Sequence, residues 1–146
     1  MVAKPVLQLG EKEYSSYVEL ALTGRGGEVQ SRAGLNWGQR EGRNANQAYL
    51  SVPKEIHNTN PTFFPELKEI FQVITDDNQI LTCVMAQANR KAIQTKDNSE
   101  MGRYFRKRLG LKSGEMIVKE NLEQYGRKSI RIFKLEENMF FMDFSK

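Results

Sequence analysis

The strongest constraint on the fold comes from two pairs of segments in which apolar and polar residues alternate on either side of a short polar turn. Glu69 to Thr75 and Gln79 to Met85 flank Asp76-Asp77-Asn78, and Ser129 to Leu135 and Met139 to Phe144 flank Glu136-Glu137-Asn138. A period of two puts every second side chain on the same face of a sheet, and Asp and Asn favour tight turns by bonding to nearby backbone. Each pair is expected to close as a β-hairpin. Tyr17 to Leu22 predicts an earlier strand, and Gln47 to Val52 another that Pro53 closes. Helical spacing is confined to two short stretches. One runs from about Glu100 to Leu109, with Ser99 as N-cap and Gly110 as stop, and sets Met101, Tyr104, Phe105 and Leu109 on one face. The other runs from about Lys119 to Gln124 and stops at Tyr125-Gly126. The expected class is mainly β with two short helices.

A chain of 146 residues matches one domain with a core of its own. With 22 Lys and Arg against 18 Asp and Glu, the net charge is +4, a mild bias toward a polyanionic partner. The distribution is sharper than the sum. From Gln87 to Arg108 there are seven basic residues and two acidic ones, a local excess of five. Cys83 is the single cysteine, set in the apolar run Ile80 to Met85, and reads as a small buried hydrophobe in a reducing compartment. No apolar run reaches the length of a membrane span, and the first residues lack the apolar centre of a signal peptide. A cytoplasmic protein without a membrane partner is expected.

Two segments do not fit a core. Ser31 to Gln47 holds three arginines, three asparagines, two glutamines and the only tryptophan among three glycines. Gln87 to Asn98 has the same character and adds Lys91 and Lys96. Arg bonds bidentately to guanine O6 and N7, and Asn or Gln to adenine N6 and N7, which makes duplex DNA the first partner to test. The base-edge candidates are Arg32, Asn36, Gln39, Arg40, Arg43, Asn44, Asn46 and Gln47 on the first segment, and Gln87, Asn89, Arg90, Lys91, Gln94, Thr95, Lys96 and Asn98 on the second. Arg103, Arg106, Lys112 and Arg127 are the expected phosphate contacts, though each also suits a solvated surface. Trp37 either pins the first segment to the body or meets DNA.

Catalytic readings are weaker. His57 is the only histidine, so any Ser/His/Asp or Cys/His set would have to use it, and a histidine-rich metal site is impossible. Glu66-Leu67-Lys68 has the carboxylate and lysine of a Mg²⁺-dependent nuclease but no evident upstream acid. Gly24-Arg25-Gly26-Gly27 lacks the Gly-Lys-Ser/Thr of a phosphate loop and reads as a turn. Phe63, Phe64, Phe133, Phe140, Phe141 and Phe144 suit either a core or a stacking platform for single strands or RNA, and their alternation favours the core. No metal and no cofactor is expected.

Gly34-Leu35-Asn36-Trp37-Gly38-Gln39-Arg40, Gly42-Arg43-Asn44, Asn46-Gln47-Ala48-Tyr49, Phe64-Pro65 and Thr75-Asp76-Asp77 resemble the C-terminal part of type II restriction endonucleases of the phospholipase D superfamily, of the NgoAVII and NgoFVII type. The resemblance continues through Lys91 to Thr95, Gly102 to Leu111, Tyr125-Gly126-Arg127 and Met142 to Ser145, covering the chain from about Leu20. It implies a B3-like fold, an open seven-stranded β-pseudobarrel with two short α-helices and two arms that grip the major groove. Those arms fall on the two polar segments. The parent enzymes cut with a His-x-Lys motif in a separate domain, whereas His57 is followed by Asn58-Thr59-Asn60. The resemblance thus implies a recognition domain for bacterial defence, without its own catalytic site and monomeric when isolated, in an oligomeric parent. It also makes residues 1 to about 15 the end of a linker.

Overall fold

The alternating segments do form strands, and the computed structural model, described here for residues 16–146, joins seven of them into one sheet. They are β1 (Tyr17–Ala21), β2 (Leu50–Ser51), β3 (Ile70–Thr75), β4 (Ile80–Ala86), β5 (Ala92–Thr95), β6 (Ser129–Glu136) and β7 (Met139–Asp143). Their order is β1-β6-β7-β3-β4-β5-β2, antiparallel except where β3 runs parallel to β7. The expected linker end lies outside the described residues. Both hairpins form as expected, with Ile70 opposite Val84 in one and Ile132 opposite Met142 in the other.

The sheet curls so that one face encloses the core. Phe71, Val73, Leu81, Cys83, Met85, Ile93, Ile130, Ile132, Phe140 and Met142 are all buried, consistent with a period-two pattern that places alternate side chains inside. Burial pushes the Cys83 thiol pKa up, so the group stays an uncharged small hydrophobe. Phe63, Phe64 and Phe140 pack ring against ring, with Phe63 and Phe64 centroids 4.9 Å apart. Of the six candidate platform aromatics only Phe133 is not buried. The outer strands β1 and β2 do not bond to one another. A cleft of about 250 Å³ remains at that seam, walled by Leu22, Leu35, Tyr49 and Leu50 among others, and keeps the barrel open.

Three helices cover the barrel rather than two: α1 (Lys54–Thr59), α2 (Glu100–Arg108) and α3 (Lys119–Tyr125). The extra one, α1, starts immediately after Pro53, which fits the fixed φ of proline just before a first turn. Helix α2 buries Met101, Tyr104 and Phe105 as its spacing predicts. Ser99 makes no side-chain cap; Thr95 Oγ1 accepts from the Met101 N–H at 3.2 Å instead, and Ser99 Oγ donates to Asp97 at 2.9 Å. Gly110 and Gly126 take positive φ where α2 and α3 end, a conformation open to glycine at no steric cost.

Two strand expectations are corrected. The expected strand Gln47 to Val52 shrinks to Leu50–Ser51, because the Ala48 N–H donates to Asn98 O and the Tyr49 N–H to Gly34 O. Within the second polar segment, Ala92 to Thr95 is a strand that pairs with both β4 and β2. Among the described residues, no helix is long and apolar enough to cross a membrane.

Candidate nucleic-acid interface

The two polar segments are rooted at opposite ends of one ribbon. The first leads into β2, the turn of the second leads into β5, and these strands pair antiparallel with Leu50 opposite Ile93. The Ala48 N–H bonds Asn98 O at one end of the ribbon, and the Val52 N–H bonds Lys91 O at the other. Ala48 and Val52 are four residue steps apart, up to about 13 Å at roughly 3.3 Å per residue of extended chain. Between them the ribbon turns Tyr49, Ser51 and Gln94 outward and Leu50, Ile93 and Thr95 inward.

The first segment forms no regular strand, so it must satisfy its backbone locally, and several polar side chains do that work. Asn36 is fully buried: its amide donates to Gln30 O at 2.8 Å and Ile117 O at 2.7 Å, and its Oδ1 accepts from the Ile117 N–H at 2.9 Å. Arg106, 1% exposed, donates to Glu115 O, Gly102 O, Leu35 O and Asn36 Oδ1. Asn46 bonds Ser113 Oγ and the Gly114 N–H, and Gln39 donates to Ala45 O and Gly114 O. These contacts dock the loop on α2 and on residues 111–117. The fit is close: a Cβ on Gly38 would lie 1.9 Å from Asn44 O, and one on Gly102 would lie 1.7 Å from Asn46 O.

What the loop leaves outside is a smaller set. Arg32, Arg40, Arg43 and Asn44 are exposed, with Gln47 and Trp37 half-buried beside them. Trp37 meets Tyr49 edge-on with centroids 5.3 Å apart, and the Arg43 guanidinium lies over its indole at 4.4 Å. Gln47 Oε1 accepts from Arg43 Nε at 2.6 Å, while Arg40 Nε donates to Arg32 O. Trp37 therefore pins the loop and also carries an exposed arginine.

The second segment turns through three non-glycine residues at positive φ, Gln87, Asn89 and Arg90. Such residues cost free energy and persist only where neighbours hold them. Here the hold comes from Arg90, whose guanidinium donates to Phe64 O and Pro65 O at 3.0 and 3.1 Å and to Pro61 O at 3.4 Å. It also comes from His57, whose Nε2 lies 2.7 Å from Arg90 O and so must carry the proton there. That role for His57 is positional. Lys91 and Lys96 are exposed on either side of β5, and Gln87, Gln94 and Asn98 are half-buried.

Five sequence candidates are engaged within the protein. Asn36, Asn46, Thr95 and Arg106 are buried and bonded inside, and Arg90 has both terminal nitrogens on protein carbonyls. The four buried side chains offer no free hydrogen-bonding edge to a ligand. Arg103 pairs with Asp97 at 3.4 Å, and Arg127 with Asp143 at 3.3 Å and Ser145 O at 2.8 Å, while Lys112 is exposed. Two further candidates come from α1. Lys54 and Asn58 line a cleft of about 680 Å³ with Ser51, His57, Asn89 and Lys91, and no carboxylate lines it. They stand one helical turn apart, a spacing that carries no signal until α1 itself is known.

Glu66 and Lys68 lie exposed near the isolated bridge of Leu67 to Met85. Asp76 pairs with Arg108, which also meets the Tyr104 and Tyr125 hydroxyls and Phe144 O. Among the described residues, no three His, Cys, Asp or Glu side chains gather as a metal site.

No curated protein matches the chain. A hypothetical Arabidopsis thaliana protein of known structure is similar at 12% identity and a TM-score of 0.39, over 88% of this chain and 90% of its own. The family model of the NgoFVII C-terminal B3-like DNA-binding domain matches residues 11–136. A nearly closed seven-stranded barrel with two polar loops at the ends of one strand pair, matched by that model over most of its length, belongs to the NgoFVII C-terminal B3-like DNA-binding domain family.

Proposed function

We propose that this domain is the target-recognition module of a bacterial type II restriction endonuclease, binding a short specific site in duplex DNA from the major groove and cutting nothing itself. One observation carries the reading: two polar, cation-bearing segments stand at the two ends of the β2–β5 ribbon, whose four residue steps span up to about 13 Å when extended. The major groove is about 12 Å wide, so the two segments match its walls while Gln94 and Ser51 face its floor. Arg40, Arg43, Asn44 and Gln47 are the base-edge candidates on the first arm, and Gln87, Asn89 and Gln94 on the second. Arg32, Lys91, Lys96, Lys112 and, from the α1 cleft, Lys54 supply charge to phosphates. Recognition needs both classes of contact, since phosphates fix register and base edges carry sequence.

Neutralising each phosphate releases condensed counterions, so log K should fall against log salt with a slope of about −0.9 per contact. Titration of the chain with a fluorescent duplex at several salt concentrations tests this, and a flat slope refutes it. Incubation with plasmid and Mg²⁺ separates the rival nuclease built on Glu66 and Lys68, because the present reading predicts retention without nicking. Competition by single-stranded DNA or RNA at parity with duplex would favour a single-strand module. As an isolated domain the protein is expected to be monomeric and cytoplasmic, with oligomerisation belonging to the parent enzyme.

A further inference from the structure

We infer that Arg43 is a guanine reader, poised for its base before DNA arrives; this rests on the duplex-recognition reading above. A guanidinium that reads guanine must present two parallel N–H groups to O6 and N7. Most arginines here are already engaged. Arg90 and Arg106 donate to backbone carbonyls, while Arg103, Arg108, Arg127 and Arg131 face carboxylates. Arg40 is tied through Nε to Arg32 O, on a backbone with no aromatic face beneath it.

Arg43 differs in how it is held. The Arg43 guanidinium carbon lies over the Trp37 ring, 4.4 Å from its centroid, and Gln47 takes only Nε, at 2.6 Å. Among the described residues, nothing bonds its two terminal nitrogens. Those two nitrogens form the end-on fork that matches the two acceptors of guanine. Stacking and the Gln47 bond together remove much of the rotamer freedom that a free arginine would lose on binding, so less of the contact is lost to ordering. Trp37 is itself set by Tyr49, the residue next to β2, which ties the reader to the ribbon. Trp37 and Gln47 are positioning residues in this arrangement.

The test is selection of a site from a randomised duplex pool by the full 146-residue chain and by R43A, R43K, W37L and W37F, each checked by a thermal melt. The wild type should select a site containing an invariant G·C pair. R43A should select the same site with that one pair degenerate, and bind the original duplex about 5- to 150-fold more weakly. R43K retains the charge without the planar fork and should lose the same preference with an unchanged salt slope. W37L should give a partial loss that W37F restores. If R43A selects the same word as the wild type, or weakens every sequence equally with a lower salt slope, the assignment is overturned and recognition stands. A wild-type chain that selects no site overturns both.

Discussion

Replacing Arg106 by Ala should unfold the domain more readily rather than weaken DNA binding selectively, which is the opposite of what its place in a basic helix suggests. In the folded state its guanidinium meets Glu115 O at 2.7 Å, Gly102 O at 3.2 Å, Leu35 O at 3.3 Å and Asn36 Oδ1 at 3.4 Å, with 1% of the residue exposed. Burial lowers its pKa, yet the group carries several hydrogen bonds that its absence would strand. Truncation leaves Gly102 O in the helix ladder and Asn36 Oδ1 on the Ile117 N–H. Leu35 O and Glu115 O lose their donor. Two stranded acceptors at about 1–2 kcal/mol each, plus about 1 kcal/mol for the cavity left by the stem, give about 3–5 kcal/mol. That is a large part of the roughly 5–15 kcal/mol that holds a typical domain together. At about 3 °C per kcal/mol for a chain of this size, the melting temperature should fall by about 10–15 °C. The assay is thermal and urea unfolding of R106A without DNA, with exposed Arg103→Ala as the comparison. A melt within about 3 °C of wild type, combined with a salt slope reduced by one contact, would refute the buried role and return Arg106 to the DNA surface.

Three further outcomes follow from the same contacts. Gly102→Ala drives a Cβ to 1.7 Å from Asn46 O, so it should loosen the first arm from α2 and raise hydrogen exchange across residues 36–47; protection equal to wild type would argue against the docking. Gln87 sits at φ 65°, ψ 166°, a region almost reserved for glycine. Gln87→Gly should therefore raise stability by about 1 kcal/mol while weakening binding to the selected duplex, and a lower melting temperature would count against strain at that turn. Burial raises the Asp143 carboxyl, but Ser145 and Arg127 more than offset this and hold its pKa below the ordinary value; Ser129 does the same for Glu19. Their stabilising contribution is complete above the unfolded carboxylate pKa values near 4, and falls away as pH drops through the lower folded values. Acid titration of D143N should show a shallower loss in that window than wild type.

The hairpins were legible because a sheet with one buried face repeats every two residues, and Phe71, Val73, Leu81, Cys83 and Met85 keep that period without interruption. Strand β5 was not, since four residues in a polar run are too few to establish a period. Helix α1 was hidden by Pro53, which ends a strand and precedes a helix with equal ease. The arms were legible as composition, because planar polar side chains without aliphatic bulk cannot make a core. Composition counts donors and acceptors but does not say which are already bonded. Asn36 reaches Ile117, 81 residues away, and Arg106 reaches Leu35, 71 residues away. No local pattern reports such partners.

That ambiguity has a physical origin and sets a limit on recognition. A loop with one 3-10 turn and no strand satisfies only part of its backbone through backbone bonds, and side chains must serve the rest. The groups best suited to that task, the amides and guanidinium groups, are also those that pair with base edges. Asn36, Asn46, Gln39 and Arg90 show the first use, as does Asn44 Oδ1, which accepts from the Asn46 N–H at 2.8 Å, and the exposed Arg43 remains for the second. The number of readers is then well below the number of polar residues in the arms. A specific site is typically favoured over random DNA by about 4–10 kcal/mol, and each good bidentate contact discriminates by about 1–3 kcal/mol. At mid-range values of about 7 and 2 kcal/mol, about three or four well-held readers suffice. The dense internal bonding of the arms is therefore compatible with sequence specificity, and is what keeps those few readers in place.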